Sequence, residues 1–244
     1  MPTPARPTAA TPAATPAATP AATPEAAPIT PSAVMPTLHT FFRRELRLAG
    51  GVVRRVPAGD RARAAVVVDH VEFVLRALHH HHTVEDDLLW PPLAARVPDE
   101  LAPVVELMQA QHETVDHLVG ELSSLLPAFR RSAGEADRNR IADLLDLLHG
   151  HLVEHLDDEE ARLLPIADEH LTDAEWDALA EAGRAGTPPR EMTLTFGMYQ
   201  HDGDPAAIAY MLSEAPAPVR WLVPRLARRA FRRHALRVHG TATP

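Results

Sequence analysis

Histidine and acidic side chains recur in this chain at a spacing that suits metal binding. His81 and Glu85 lie four residues apart within "LRALHHHHTVEDDLLWPPL". On a helix, that spacing puts both side chains on one face, within reach of a shared cation. The chain contains no Cys, so thiolate sites, disulfides and cysteine nucleophiles are excluded, and imidazole and carboxylate are the metal ligands it can offer. The same spacing recurs twice, in His112 with Asp116 and in His155 with Glu159.

Long amphipathic helices are predicted to carry these side chains. Apolar residues recur at helical spacing from Met35 onward, and the alternation typical of strands is nowhere sustained, so the predicted fold class is all-α. Short turns between long helices require that they run alternately up and down, as in a four-helix bundle. Turn signals divide the region into four long helices, predicted over 36–56, 61–96, 99–130 and from "SAGEAD" to about 170.

Capping and breaking residues mark the predicted helix ends. Asp60 offers an N-cap to the second helix, and Asp99 offers one to the third. Pro91 and Pro92 in "WPPL" remove backbone donors and are expected to kink the second helix. The stretch "LTDAEWDALAEAG" predicts a short capped helix that Gly183 closes.

Residue counts place histidines from all four helices at one height. His81 and His112 are about 16 and 15 residues from the turn between their helices, so at about 1.5 Å per residue they lie level. His112 and His155 are likewise predicted to lie at the same height, whereas the heights of His39 and His81 differ by about 6 Å. Because bundles build dimetal centres from such inward-facing side chains, we predict a metal site in this layer. The alternative is that these pairs decorate exposed helix surfaces.

The other histidines are predicted to lie outside the ligand set. His79, His80 and His82 point to other sides of the helix than His81, which indicates rim or surface positions. His70 lies on the same face but about 16 Å lower, which favours a hydrogen-bonded core histidine. The rest are interpreted as structural or solvent-exposed: His117, His149, His170, His201, His234 and His239.

Taken together, these motifs resemble the hemerythrin-like, or HHE cation-binding, family, in an actinobacterial form with a C-terminal helical extension. "HHHHTVEDDLLWPPL", "QHETVDHL" and "HLVEHLDDEEARLLP" are similar to its HHxxE and HxxEE signatures, over about residues 35–183. The resemblance implies a non-haem centre of two iron ions with an oxo or hydroxo bridge. It also implies binding or reduction of dioxygen, peroxide or nitric oxide. Carried over by position, the implied ligands are His39, His81, Glu85, His112, His155 and Glu159.

Asp116 departs from the family pattern, because oxygen-carrying members have a second histidine at that position. His151 could restore the number of imidazoles, so the predicted metal set includes both Asp116 and His151. An added carboxylate favours higher oxidation states of iron, which argues against reversible oxygen carriage. Two alternatives stay open: a regulatory bundle that senses iron or oxygen without catalysis, and a redox-silent module that binds zinc or manganese.

Charge limits the partners that the chain can recognise. The net charge is −9, and the part after Glu214 holds seven Arg and no acidic residue, so the preceding part carries 17 Arg against 33 acidic residues. An acidic body argues against nucleic-acid binding. In the last predicted helix an apolar stripe lies opposite most of the Arg, which indicates docking on the bundle or a second subunit, or contact with a membrane surface. The stripe consists of Val219, Leu222, Leu226, Ala230 and His234.

Composition divides the chain into three predicted regions: a leader rich in Ala, Thr and Pro over 1–34, the bundle over 35–183 and a helical extension over 184–244. The leader repeats "TPAATPAATPAATP" and is predicted to be disordered, since it offers little apolar surface to bury. It lacks the features of a signal peptide, and no apolar run approaches the roughly 20 residues of a membrane span. A cytoplasmic location is therefore predicted, and a homo-oligomer stays open.

Overall fold

A computed structural model describes Met1 and residues 30–244, and within that part of the chain the regular structure is helical. The predicted all-α class is confirmed. A 3-10 turn over Pro31–Val34 precedes the α-helices, and a π-helical turn over Glu159–Leu163 lies between the fifth and the sixth. The α-helices are α1 (Met35–Arg54), α2 (Arg61–Leu88), α3 (Trp90–Arg96), α4 (Pro98–Ser132), α5 (Glu135–Asp158), α6 (Leu164–His170), α7 (Asp173–Ala185), α8 (Pro189–Asp202), α9 (Pro205–Tyr210) and α10 (Ala217–His239).

Helices α1, α2, α4 and α5 form the bundle. Each packs on two of the others, α1 on α5 and α2, and α4 on α5 and α2. Their apolar faces meet in one core, where Phe41, Val67, Leu122 and Leu152 are fully buried. Because burial of these faces supplies most of the stability of a bundle, the four helices are fixed in register and their polar core positions face one another.

Local signals account for most helix ends. Asp60 caps α2 by accepting a hydrogen bond from the backbone N–H of Arg63. The predicted kink at Pro91 and Pro92 is a full break, since α2 ends at Leu88 and α3 begins with both prolines in its first turn, where their missing N–H groups cost no helical hydrogen bond. The expected cap Asp99 is wrong, because α4 begins at Pro98 and already contains it.

A capping box starts α7. The hydroxyl of Thr172 accepts from the Glu175 N–H, and the Glu175 carboxylate accepts from the Thr172 N–H. The helix continues to Ala185, two residues beyond the Gly183 predicted to close it, so the predicted boundary at 183 falls in its last turn.

The C-terminal extension packs against the bundle. Helix α10 lies along α8 and also contacts α2, and Met198 of α8 and Phe231 of α10 belong to the bundle core. Close approach of the two helices requires Gly197, since a Cβ there would lie 2.3 Å from the Ala227 carbonyl oxygen.

The buried face of α10 differs from the predicted stripe. Val219, Leu222 and Leu226 are exposed, and the helix instead buries Ala227, Phe231, Ala235 and Val238. The closest contact with α8 lies at Ala227, whose backbone faces Gly197, and this contact turns the face that carries Phe231 towards the core.

The predicted leader falls almost entirely outside the described residues, which omit 2–29. Its last part, Pro31–Val34, forms a 3-10 turn that leads directly into α1. Among the helices over residues 30–244, none has both the length and the apolarity that crossing a bilayer demands.

Candidate metal centre

Two groups of buried histidine and glutamate side chains converge inside the bundle. In each group the potential ligand atoms all lie within 4.8 Å of one another, and Glu85 belongs to both. The helices α1, α2, α4 and α5, with the π-helical turn that follows, supply all the members. The first group is His39, His81, Glu85 and Glu159, and the second is His82, Glu85, His112 and His155.

The Glu85 carboxylate lies between the groups. Its Oε1 is 3.2 Å from His81 Nε2, and its Oε2 is 3.9 Å from His112 Nε2, so one oxygen faces each group. His81 and His82 are successive residues, separated by about 100° around α2. They therefore flank Glu85 on its two sides, and a pair of cations bridged by this carboxylate fits the arrangement.

Distances between the ligand atoms match those around a metal ion. His39 Nε2 lies 3.4 Å from Glu159 Oε2, and His112 Nε2 lies 3.3 Å from His155 Nε2. Two ligand atoms bound tetrahedrally at about 2.0–2.1 Å from one ion are separated by about 3.3 Å. Glu159 Oε2 is also 3.8 Å from His155 Nε2, which places this second carboxylate within reach of both groups.

Many polar atoms of the two groups have no hydrogen-bond partner among residues 30–244. A buried polar atom left unpaired costs about 1–3 kcal/mol, so folded chains rarely keep several together. Bound metal ions would satisfy them, and the donor set of imidazole and carboxylate suits borderline to hard divalent metals. These atoms are His39 Nε2, His81 Nε2, both ring nitrogens of His82, and both carboxylate oxygens of Glu85 and of Glu159.

Burial shifts the proton equilibria of the site in two directions. It raises the pKa of Glu85 well above its ordinary value, and the neighbouring Glu159 carboxylate raises it further. Burial also lowers the pKa of His155 to about 2 and holds those of His81 and His82 well below the ordinary value. These three imidazoles therefore favour the neutral form, which is the form that binds metals, whereas the protonated form of Glu85 must lose its proton first.

Contacts on the side of the ring away from the site orient the first group. His39 Nδ1 lies 2.8 Å from Glu160 Oε1, and the same oxygen accepts from Arg43 at 3.0 Å. Such contacts fix the ring and its tautomer, so that Nε2 of His39 faces the site. Phe42 stacks on His81, with ring centroids 5.2 Å apart, and holds that ring in place.

The second group is oriented in the same way. His112 Nδ1 lies 3.1 Å from Asp86 Oδ1, which also accepts from Trp90 Nε1 at 2.9 Å. His155 Nδ1 lies 3.3 Å from Gln111 Oε1. Each Nε2 is thereby directed at the space between the helices.

A family comparison agrees with this geometry. Residues 30–167, more than half of the chain, match the model of the hemerythrin HHE cation binding domain. The chain belongs to the hemerythrin HHE cation-binding family. The matched range contains every member of both groups, and it ends within α6. Comparisons with curated proteins and with solved structures give no match.

In this hemerythrin-family chain, six of the eight sequence-predicted site residues come together, and two do not. The side chain of Asp116 is 50% exposed and lies 3.6 Å from His79. The core face of α4 passes from His112 to Val115, which leaves Asp116 at its outer edge. His151 is partly exposed beside the buried Leu152 and belongs to neither group. The six are His39, His81, Glu85, His112, His155 and Glu159.

His82 is the group member that the sequence interpretation missed. That interpretation relied on a spacing of four residues, whereas His82 lies three residues before Glu85. The signal was present in the HHE-family signature HHxxE, whose two adjacent histidines are His81 and His82. The other two histidines of the run face elsewhere: His79 is largely exposed, and His80 Nε2 lies 3.1 Å from the Ala182 carbonyl oxygen of α7.

A π-helical turn positions the acidic residues of the last hemerythrin motif. It begins at Glu159, directly after α5 ends at Asp158. The wider turn lets two successive glutamates serve the same site, with Glu159 between the groups and Glu160 behind His39. Single π-turns inside helices occur frequently at functional sites.

Proposed function

We propose that this chain is a hemerythrin-like non-haem di-iron protein that binds or reduces a small oxidant such as dioxygen, peroxide or nitric oxide. The observation that supports the proposal is the pair of buried ligand groups that share Glu85. Iron bound in both groups would supply the electrons for binding or reduction, and the protein supplies geometry and a dry environment.

The proposed ligands divide evenly between two ions. His39, His81 and Glu159 would hold one ion, and His82, His112 and His155 would hold the other, with Glu85 available to both. This set omits Asp116 and His151 from the sequence prediction and adds His82. Five imidazoles and two carboxylates suit iron, and four protein ligands per ion leave coordination positions free for a small molecule.

Burial of the ligands supports a small, uncharged ligand. His39 and His155 are fully buried, and Glu85 and Glu159 are 1% exposed. A bulky or charged substrate would have to displace core helices and lose its hydration, whereas a diatomic molecule or peroxide needs little space. The predicted cytoplasmic location and the homo-oligomer stay predictions from the sequence.

Anaerobic loading followed by exposure to oxidants tests the proposal. The metal-free chain is incubated with ferrous iron, desalted and assayed for iron per chain, and its spectrum is recorded before and after addition of dioxygen, peroxide or nitric oxide. We expect two irons per chain and new absorption bands after addition. Asp116→Asn is the control and should match the wild type, and Glu85→Gln should lose iron.

Other outcomes separate the alternatives. Two irons with a spectrum that no oxidant changes would overturn the proposal. Preference for zinc or manganese over iron would favour a redox-silent module. Oxidant-dependent spectra without turnover of peroxide or nitric oxide would favour a sensor.

A further inference from the structure

A third group of histidine and glutamate side chains lies apart from the candidate di-iron centre. Glu45 of α1, His70 of α2 and His239 of α10 have potential ligand atoms that all lie within 4.8 Å of one another. His70 precedes His81 by eleven residues on the same helix, which corresponds to about 16 Å along its axis. The third group therefore occupies a separate level, where the C-terminal helix meets the bundle.

The ligand distances equal those expected around one small cation. Glu45 Oε2 lies 3.3 Å from His70 Nε2 and 3.1 Å from His239 Nε2. Nitrogen and oxygen ligands at about 2.0–2.2 Å from a tetrahedral zinc ion are about 3.3 Å apart. One carboxylate oxygen and two imidazole nitrogens are a ligand set that zinc commonly takes in proteins.

Burial leaves ring nitrogens of this group without partners. Glu45 and the His70 side chain are fully buried, and only 3% of the His239 side chain is exposed. Within the described chain, His70 Nε2 and His239 Nδ1 have no hydrogen-bond partner. An ion between His70 Nε2 and Glu45 Oε2 would satisfy the nitrogen that faces the carboxylate.

Surrounding contacts leave the ligand atoms directed at one point. Arg44 donates to Glu45 Oε1 from Nε at 2.9 Å and from Nη2 at 2.8 Å, whereas Oε2 lies within hydrogen-bond distance of His239 Nε2, a contact that a bound ion would replace. His70 Nδ1 lies 3.0 Å from His234 Nε2. The tautomer in which His70 Nδ1–H donates to His234 Nε2 leaves His70 Nε2 free to bind an ion. A metal-bound imidazole commonly donates its other N–H in this way.

We propose that Glu45, His70 and His239 form a mononuclear site for a divalent transition metal of the zinc type, with a fourth position for water. The ion joins α1, α2 and α10, so it fastens the C-terminal helix to the bundle. The sequence interpretation assigned His70, His234 and His239 to structural or exposed positions, because helical spacing within one element cannot relate residues 45, 70 and 239.

Zinc stoichiometry tests the site in the full-length, metal-free chain. Zinc is titrated against a chromophoric chelator, and we expect three ions per wild-type chain, two in the candidate di-iron centre and one in the third group. His239→Gln should reduce the count to two, and Glu85→Gln with Glu159→Gln should spare the third site. His117→Gln, which removes an exposed imidazole, is the matched control and should keep three.

Proteolysis gives a second readout, because α10 is rich in Arg and is cut by trypsin when it detaches. Zinc should slow the release of C-terminal fragments from the wild type, and this protection should be absent in His239→Gln. A wild type that binds two zinc ions, or a His239→Gln variant that keeps the wild-type stoichiometry and protection, would overturn the proposal. Far-ultraviolet circular dichroism of each variant shows that the helices are retained.

Discussion

His82 of α2 lies parallel to His112 of α4, with ring centroids 4.0 Å apart and ring planes inclined by 6°. Burial, the largest influence on both residues, lowers their pKa values, so the two rings stack as neutral imidazoles. Stacking of this kind fixes the separation of α2 and α4 at the level of the site. It also directs ring nitrogens from two helices into the same ligand group.

The first prediction concerns His82 itself. Replacing it with Ala removes one of four ligands from the second group, so we expect His82→Ala to retain one tightly bound iron instead of two. His79→Ala is the matched control, since His79 belongs to the same histidine run but its side chain is 65% exposed. Iron per chain after desalting is the measurement, and two irons in His82→Ala would contradict the assignment.

The second prediction concerns Glu160, which contacts His39 from behind. Loss of such an orienting contact typically weakens metal binding by about 10–100-fold, and we expect Glu160→Gln to weaken one of the two positions by that factor. Glu154→Gln, on the exposed face of α5, should leave both affinities unchanged. Competition with a chelator of known affinity measures the difference, and equal affinities in both variants would remove Glu160 from the site.

The third prediction concerns the protons that Glu85 releases when metal binds. Burial raises the pKa of Glu85 above the ordinary 4.5. In the metal-free protein, the protonated Glu85 therefore contributes to the free energy of unfolding below about pH 4.5. That contribution is lost as the pH rises through the raised pKa. Ferrous iron must displace any proton that Glu85 holds, so loading should release protons, and affinity should rise as the pH rises through the raised pKa of Glu85.

A pH electrode in weakly buffered, anaerobic solution measures the release. Glu85→Gln has no carboxyl proton to give, so any iron that it still binds should release less. Affinity that falls or stays constant as the pH rises from 4.5 would contradict the raised pKa of Glu85.

The level of the candidate ligands could be predicted from the sequence because it depends on rise per residue and turn position alone. His81, His112 and His155 were placed at one height by counting, and they meet in the structure. The rotation of each helix about its own axis was harder to predict from the sequence. Asp116 lies outside the two groups because the core face of α4 advances by three residues at that point, from His112 to Val115, rather than by four.

Contacts that join distant helices left no periodic signal in the sequence. Gln111 reaches His155 from another helix, and Glu160 depends on a π-helical turn that no propensity indicates. The buried face of α10 was mispredicted for the related reason that small residues such as Ala227 fit the closest contact. Such details follow from packing between elements, which local pattern cannot determine.

The fourth prediction tests how the C-terminal helix is attached. Gly197→Ala would place a Cβ 2.3 Å from the backbone oxygen of Ala227, and backbone cannot move aside as a flexible side chain can. We expect a loss of about 1–3 kcal/mol in the free energy of unfolding, typical of an overpacked contact.

Gly183→Ala is the control, because a Cβ there meets nothing within 4 Å and Ala favours a helix over Gly by about 0.8–1.0 kcal/mol. Urea unfolding of the metal-free proteins measures both, and a Gly197→Ala variant as stable as the wild type would show that α8 and α10 lie farther apart in solution.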